Sequence, residues 1–517
     1  MLASRPRSLA SFAAAALVLG AVLAPPARGA DDFIARLNAN FSGVPASKNA
    51  GPILFALLAK MDAPPAALLD PRRAAIVTTN SADWPAIKAW IEAQPQKDLL
   101  AGVKKVTDEE DWKKSYTFAT PYGADAVEKV DPKLVIDKLY VELGEPALLQ
   151  QADFLYLPRM TALEMLLQCE ATQQAADGKP AAALDTLIRT CWIGRMMCDR
   201  EFQQEIAWGL DCMTLALMRM RDVAYQDSLL SAPQLTAENI RDVLGRIRGR
   251  AGMLGFERIN PPAGNRLAAE QLVATVMVPG QGPDADRWAT TLGRTLAKDR
   301  PLRMFSEMAK WEGIRSVHAN AADTAKEVAK VYNDFYARWK LDPFDPIVKA
   351  PSDYAKLDRA RFALVDSTVI DMERLSAQRA VAIMEAAGTR MSLAAYGYQL
   401  GHGGQLPVTL ASTRPQIIKE NDTDPFDPGR RKALGYRAMT ALKEITLFPE
   451  IIGLRTQTFK ANILANGFLV YGVGPDGLDN GGSRFTQTVE DEKGDYLIWP
   501  PVISLVRQNL TDLGQLK

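Results

Sequence analysis

A group of residues near the C-terminus has the types and spacing that suit metal binding. Asp476, Asp479 and Asn480 lie in the segment 474–482, which also contains four glycines. Glycine lets the backbone curl so that carboxylate and carbonyl oxygens face one point, and Ca²⁺ binds about six to eight such oxygens. The segment therefore predicts a calcium loop. Asp, Asn and Gly also favour ordinary turns, so a turn without a metal ion is the alternative.

Two further groups of acids could supply paired carboxylates. Asp108, Glu109, Glu110 and Asp111 directly precede Trp112. Two carboxylates at a suitable separation can hydrolyse glycosides, but adjacent acids also form the solvated start of a helix, where the helix dipole favours negative charge. We expect the helix start. A second group has the same ambiguity and comprises Asp422, Asp424 and Asp427.

The two histidines, His318 and His402, share no motif. We expect His318 on a helix, as a surface residue or a core residue with its hydrogen bonds satisfied. The segment Gly401–Gly404 resembles the oxyanion-hole segment of some esterases, but the sequence has no Gly-x-Ser-x-Gly nucleophile turn. A loop after a helix explains the same residues. The phosphate-binding pattern Gly-x-x-x-x-Gly-Lys-Ser/Thr is also missing, so we predict no nucleotide cofactor and assign no catalytic residue.

Composition and charge restrict the class of protein. The sequence contains 61 basic residues (lysine and arginine) and 61 acidic residues (aspartate and glutamate), so the formal net charge is zero. Such a chain has no overall field to attract nucleic acid or an anionic membrane, and we predict neither as a partner. The 517 residues, of which 47% are hydrophobic, exceed what one core usually organises. We therefore expect two or three packed units.

The N-terminus has the order of a secretory signal peptide. Arg5 and Arg7 precede the apolar run Leu9–Leu23, which leads into small residues that end at Gly29. We predict cleavage after Gly29, which makes residues 1–29 the signal peptide. The run is shorter than the roughly 20 residues that span a bilayer, and no second run of that kind follows. The mature chain is expected in the periplasm or outside the cell, without a membrane span.

Four cysteines lie close together in the sequence, and an exported chain meets an oxidising compartment, so disulfides are allowed. The alternative is that they are small apolar core residues, because each occupies a position where leucine would suit the helical pattern. We favour this alternative. A zinc site would need histidine or tighter spacing. The four are Cys169, Cys191, Cys198 and Cys212.

Apolar spacing predicts helices over most of the chain. Residues 30–155 form an N-terminal helical region, in which Asn49 caps a helix. Residues 156–345 form an antiparallel helical stack, whose clearest part is three helices between Met160 and Met220.

Turns and breaks divide the rest. The turn 177–180 resembles the corner between tetratricopeptide-repeat helices, but it occurs once, so we predict repeat-like hairpins without a confirmed array. Gly and Pro in Val278–Pro283 predict an exposed loop, and the prolines of Leu341–Pro346 end a helical run. Residues 359–517 then form a long helix, to about Leu400, followed by a small antiparallel sheet.

Four segments in this last part resemble, in their order, the globular domain of the major pseudopilin of type II secretion. They are Ala394–Tyr396 with Gly401–Pro407, Asp424–Pro428 with Tyr436, Gly467–Gly477, and Asp495–Trp499. The resemblance covers residues 375–500. Two features depart from that family, because no prepilin cleavage site precedes a membrane helix and residues 437–458 form an insertion. The chain is therefore not expected to assemble as a pilin subunit itself.

The resemblance implies that Asp476, Asp479 and Asp495 bind calcium in a structural role, with the ion tying the loop to the sheet. The residues alone predict strands here as well, because Asn466-Gly467 is the signal of a two-residue hairpin turn. That turn would join Phe459–Leu464 to Phe468–Val473.

The expected fold class is therefore mainly α, with an antiparallel stack of repeat-like hairpins and a small C-terminal α+β pseudopilin-like module. The expected function is an exported binding or scaffold protein of the bacterial envelope, with a protein partner there and an association with secretion machinery. The alternative is an exported hydrolase with a site in the helical region. A pilus-associated minor subunit would need a membrane helix, which the signal peptide disfavours.

Overall fold

The fold is described from a computed structural model. The structure describes residues 30–248, 252–299, 304–429, 432–447, 459–465, 467–483, 485–486 and 494–516. The predicted signal peptide, residues 1–29, lies outside them. The described chain is mainly helical and carries most of its strands after residue 434, which confirms the expected mainly α class with a small C-terminal sheet region.

Short helices with long connections make up the N-terminal region. In chain order they are α1 (Ala30–Ala39), α2 (Ala50–Leu58), α3 (Pro71–Ile76), α4 (Trp84–Glu92), α5 (Gln94–Thr107), α6 (Ala124–Glu128) and α7 (Pro132–Ile136). The Asn49 side chain accepts a hydrogen bond from the Gly51 backbone N–H at 3.0 Å, so it caps α2 as predicted. Two short strands, β1 (Val141–Glu142) and β2 (Asp153–Phe154), add an antiparallel pair that we did not predict.

The acidic run 108–111 does not start a helix, so that prediction was wrong. It follows the C-terminal end of α5. Two arginines from later helices hold it there. Asp108 pairs with Arg189 at 2.6 Å, and Glu110 pairs with Arg246 at 3.5 Å. These long-range ion pairs are not visible in the local sequence.

Three long helices form the centre of the molecule, as predicted. They are α8 (Leu157–Ala176), α9 (Pro180–Met197) and α10 (Gln203–Ser228). Cys191 lies against the carbonyl oxygen of Met213 and Cys198 against that of Ile206, so α9 and α10 run antiparallel. The repeat-like character of these hairpins stays a prediction.

Helices α8 and α10 run parallel with a fixed register. Trp208 Nε1 donates to Thr161 Oγ1 at 3.1 Å, and Arg219 donates to Thr172 Oγ1 at 2.8 Å. Both pairs are separated by 47 residues. Between these two contacts, a residue on this face of α8 therefore lies opposite the residue of α10 that comes 47 positions later in the sequence.

Further helices extend the stack. They are α11 (Ala237–Arg246), α12 (Ala263–Val276), α13 (Ala285–Asp299), α14 (Met304–Arg315), α15 (Ala321–Trp339), α16 (Pro346–Lys349) and α17 (Ala363–Thr368). The loop between α12 and α13 is exposed at 279–281, as expected for its Gly and Pro content. His318 lies in the connection between α14 and α15, so the prediction of a helical position was wrong.

The long helix α18 (Met372–Gly401) begins later than the predicted residue 359. Val369 has an extended backbone after α17, and the Asp371 side chain accepts a hydrogen bond from the Arg374 N–H at 2.9 Å. Asp371 is therefore the N-cap that sets the start of α18. Gly388 allows α18 to lie directly on the later residue Ile498, because a Cβ at Gly388 would come within 2.5 Å of that side chain.

The strands after α18 form two separate sheets. They are β3 (Gly435–Ala438), β4 (Lys443–Leu447), β5 (Phe459–Ile463), β6 (Phe468–Gly472), β7 (Phe485–Thr486) and β8 (Asp495–Trp499). The larger sheet has the order β3-β6-β8-β7, and β4 pairs with β5 as a two-stranded ribbon. Strands β7 and β8 are parallel, so the larger sheet is mixed, which corrects the expected antiparallel sheet.

The predicted hairpin between Phe459–Leu464 and Phe468–Val473 is not formed by the described strands. Strand β5 pairs with β4, with Leu447 opposite Phe459. Strand β6 is buried between β3 and β8 in the larger sheet, so both of its edges are already occupied. Asn466 lies outside the described residues. The turn signal was local, whereas the choice of partner strand was decided by burial.

The chain ends with the helix α19 (Val502–Asp512), which packs against α3 and α10. It shares an apolar cluster with both sheets, in which Leu505 and Val506 lie with Ile76 and Leu447. The C-terminal module is thereby attached to the helical body. Within the part of the chain that the structure describes, no helix is both long and apolar enough to cross a membrane.

Candidate functional site

The structure brings the three predicted calcium ligands together, two in the loop between β6 and β7 and one at the start of β8. Asp495 is buried at the start of β8, and its carboxylate accepts hydrogen bonds from the backbone N–H groups of Asn480 at 2.9 Å and Gly482 at 2.6 Å. Burial raises the pKa of Asp495, and the carboxylates of Asp479 and Asp476 raise it further. The three acids are therefore neighbours.

The other two carboxylates also face backbone N–H groups. Asp476 accepts from Leu478 at 3.0 Å and from Gly494 at 3.2 Å. Asp479 accepts from Gly481 at 2.7 Å. Such bonds are those of turn-forming aspartates.

As arranged, the three acids do not form a metal-ligand set. Among the described residues, no group of three or more His, Cys, Asp or Glu side chains is placed to hold a metal ion. The calcium role of Asp476, Asp479 and Asp495 stays a prediction. The hydrogen bonds already give these side chains a structural function without a metal ion.

The acids of the segment 422–427 have structural partners. Asp424 is fully buried and accepts hydrogen bonds from the backbone N–H groups of Phe426 and Val473, both at 2.8 Å. Burial raises its pKa to about 6. Asp422 pairs with Arg390 of α18 at 2.6 Å. These contacts tie the turn to the sheet and to the long helix.

A recess between α5, α8 and α9 was not predicted from the sequence. It has a volume of about 310 Å³. Polar side chains line part of it. Gln174 donates to Glu170 at 2.7 Å, and Thr186 donates to Gln174 at 2.9 Å. Burial raises the pKa of Glu170.

A second unpredicted feature is Glu164, which is 5% exposed on α8. The register of α8 and α10 places it opposite Asp211, because these two residues are also separated by 47 positions. Burial raises the pKa of Glu164 to about 8, and the nearby Asp211 carboxylate contributes. A carboxyl group with this pKa is protonated at neutral pH and can act as a proton donor.

The four cysteines are buried free thiols, which agrees with the core interpretation. Burial raises their pKa values, so the reactive thiolate form is disfavoured at neutral pH. Three of the thiols contact backbone carbonyl oxygens of the neighbouring helix; these are Cys191, Cys198 and Cys212. They belong to the packing between α9 and α10.

Both histidines are engaged in structural contacts. His318 Nδ1 lies 2.9 Å from the carbonyl oxygen of Ala319, and its Nε2 accepts from the Leu364 N–H at 3.2 Å. His402 follows α18 as its C-cap, with Nδ1 2.8 Å from the carbonyl oxygen of Tyr398. The loop interpretation of Gly401–Gly404 agrees with this geometry.

Comparisons with known proteins add no relative. No model of a protein family matches the chain, and neither a curated protein nor a solved structure matches it. The pseudopilin resemblance therefore rests on the four sequence segments alone.

Proposed function

We propose that the protein is an exported binding or scaffold protein of the bacterial envelope, and that its C-terminal module contacts a protein partner there. One observation carries this proposal. Four leucines of the module have exposed side chains. Leu513 follows the last helix, and the other three lie among the strands: Leu442 at 61%, Leu464 at 49% and Leu478 at 65%. Neighbouring exposed apolar side chains mark surfaces that bind other proteins.

The register of the β4–β5 ribbon brings two of these leucines together. Lys443 is opposite Ile463, so Leu442 and Leu464 are the next pair at the same end of the ribbon. They belong to the outer face, because the alternate residues, including Ile445 and Ile463, are buried on the inner face.

The loop that carries Leu478 reaches the inner face at this end of the ribbon, because Lys443 alternates with Leu442 along the strand. Lys443 Nζ donates to the carbonyl oxygen of Gly482 at 2.6 Å. We name the outer-face pair, Leu442 and Leu464, the leucine surface. The predicted signal peptide supports an envelope location, and the sequence resemblance supports an association with secretion machinery.

The proposal is tested by photo-crosslinking in the source cells. A photoreactive amino acid at Leu464 or Leu442 should give one discrete crosslinked product of the same mass in each case. The matched control is Ile136 in α7, which is 77% exposed and belongs to the N-terminal region. Equal or absent crosslinking at all three positions would contradict a partner on the leucine surface.

A second candidate function is an exported hydrolase, and Glu164 with Asp211 favours it. Two carboxyl groups on facing helices, one of them protonated at neutral pH, are the kind of pair that acid–base hydrolysis of glycosides uses. The mature chain should then release sugar from a glycoside panel, and Glu164→Gln should abolish the release. Activity that survives both Glu164→Gln and Asp211→Asn would contradict this assignment.

A further inference from the structure

The recess between α5, α8 and α9 has the size and lining of a site for a small ligand. Its volume of about 310 Å³ lies at the lower end of the range of roughly 300–1,000 Å³ for ligand pockets. Leu100 and Val103 of α5 and Leu167 of α8 give it an apolar part. Gln174 and Thr186 add hydrogen-bonding groups on the other two helices.

Most charges at the recess already have partners. Arg189 pairs with Asp108 at 2.6 Å and with Asp185 at 2.9 Å. Asp185 also pairs with Arg246 at 2.7 Å, and these two arginines lower its pKa although burial opposes them. The Arg189–Asp185 cluster is therefore neutralised and forms a fixed wall.

Two charged residues that line the recess, one acidic and one basic, do not belong to this cluster of ion pairs. Glu170 accepts a hydrogen bond from Gln174, but within the described chain no Lys or Arg nitrogen lies within 4.0 Å of its carboxylate. Lys104 lines the recess from α5, and its ammonium group has no acidic partner among the described residues. A carboxylate and an ammonium on different helices thus remain available to a ligand.

We propose that this recess binds a short peptide, a di- or tripeptide, as a zwitterion. The peptide ammonium group pairs with Glu170, and its C-terminal carboxylate pairs with Lys104. An apolar side chain of the peptide lies against Leu100, Val103 and Leu167. A di- or tripeptide carries its two charges several bonds apart, which suits charged residues that stand on two different helices.

The burial of Glu170 gives the site its selectivity for an ammonium group. A carboxylate that is partly removed from water gains more from a cation than an exposed one does. Binding of the ammonium group lowers the pKa of Glu170, which opposes the effect of burial. This site does not depend on the leucine surface or on its partner.

The test is titration calorimetry of the mature chain with leucyl-alanine, with its N-acetylated form and with its C-terminal amide. We expect binding of the free dipeptide and a loss of about tenfold or more, equal to about 1.4 kcal/mol, when either end is blocked. Glu170→Gln and Lys104→Met should each weaken binding of the free dipeptide by about the same factor.

A matched control separates these effects from general changes at α5. Lys105 is the exposed neighbour of Lys104 and does not line the recess, so Lys105→Met should bind as the unaltered chain does. Melting temperatures of all variants verify that they fold. The proposal is overturned if no heat of binding appears with leucyl-alanine, or if blocked and free dipeptides bind equally.

Discussion

Asp222 of α10 and Arg507 of α19 form a two-pronged ion pair, with both nitrogen–oxygen distances at 2.7 Å, across 285 residues of sequence. Arg507 also donates to the carbonyl oxygens of Ala75 at 2.8 Å and Ile76 at 3.1 Å. Burial alone would raise the pKa of Asp222, but Arg507 and Arg219 outweigh it and hold the pKa at about 2. One side chain near the C-terminus therefore joins α19 to two helices of the helical body.

Replacement of Arg507 by alanine should destabilise the protein strongly. The change leaves a buried carboxylate with less compensation and removes the bonds to α3, at an expected cost of about 3 kcal/mol in the free energy of unfolding. The control is Gln508→Ala, because Gln508 is exposed on the same helix. Urea unfolding measures both variants. Equal stability of the two would show that the Asp222–Arg507 pair contributes little.

Replacement of Gly194 by alanine should separate α9 from α10. A Cβ at Gly194 would lie 2.7 Å from the backbone oxygen of Gly209, which cannot move without shifting a helix. We expect a loss of about 1–3 kcal/mol. The matched control is Gly245→Ala in α11, where the new Cβ meets open space and should gain roughly 0.5–1 kcal/mol. If thermal unfolding shows Gly194→Ala to be more stable than Gly245→Ala, the close contact between α9 and α10 is refuted.

The buried Glu164 predicts a pH dependence of stability. Its pKa of about 8 in the folded chain exceeds the ordinary value of 4.5, so between these pH values the folded chain keeps a proton that the unfolded chain loses. The contribution of this residue to the free energy of unfolding therefore falls as the pH rises, on the order of 1 kcal/mol per pH unit between about 5 and 8.

Glu164→Gln removes this titration. The variant should gain stability relative to the unaltered chain as the pH rises from 5 to 8, which melting temperatures in matched buffers will show. Glu109→Gln is the control, since Glu109 lies outside the packed helices in the run after α5. A constant difference between Glu164→Gln and the unaltered chain over this range would mean that Glu164 is not held protonated.

Calcium should raise the melting temperature if the loop around Asp476 and Asp479 is a metal site. At about a hundred times its dissociation constant, the ion would add roughly 2.7 kcal/mol. The paired change of Asp476 and Asp479 to alanine should remove that gain, whereas Asp137→Ala, at an exposed acid after α7, should keep it. Identical melting with calcium and with chelator would leave only the turn role, which the backbone hydrogen bonds support.

Sequence patterns predicted the features that depend on local spacing. Asn49 caps α2, and the apolar stripes of α8, α9 and α10 place these helices where the structure has them. The four cysteines at leucine-like positions are core residues. In each case, neighbours within a turn or two of helix determine the outcome.

Features that depend on residues distant in the sequence were either not predicted or predicted wrongly. The hairpin signal at Asn466-Gly467 did not reveal that β5 pairs with β4 while β6 is enclosed by β3 and β8. The recess needs α5 beside α8 and α9, so Glu170 and Lys104 could not be connected by spacing. A weak signal was available, because Glu164 and Glu170 interrupt the apolar pattern of a buried helix.

The central claim, a binding protein with an envelope partner, is tested most directly by the native mass of the protein released from its own cells. The full chain of 517 residues, with the predicted signal peptide, has a mass of 56.6 kDa, and the mature chain is lighter by 29 residues. We predict a larger complex that contains a second protein and that returns to the mass of the lone chain when Leu442 and Leu464 are replaced by serine. Consistent recovery of the unaltered chain as a lone monomer would contradict the account.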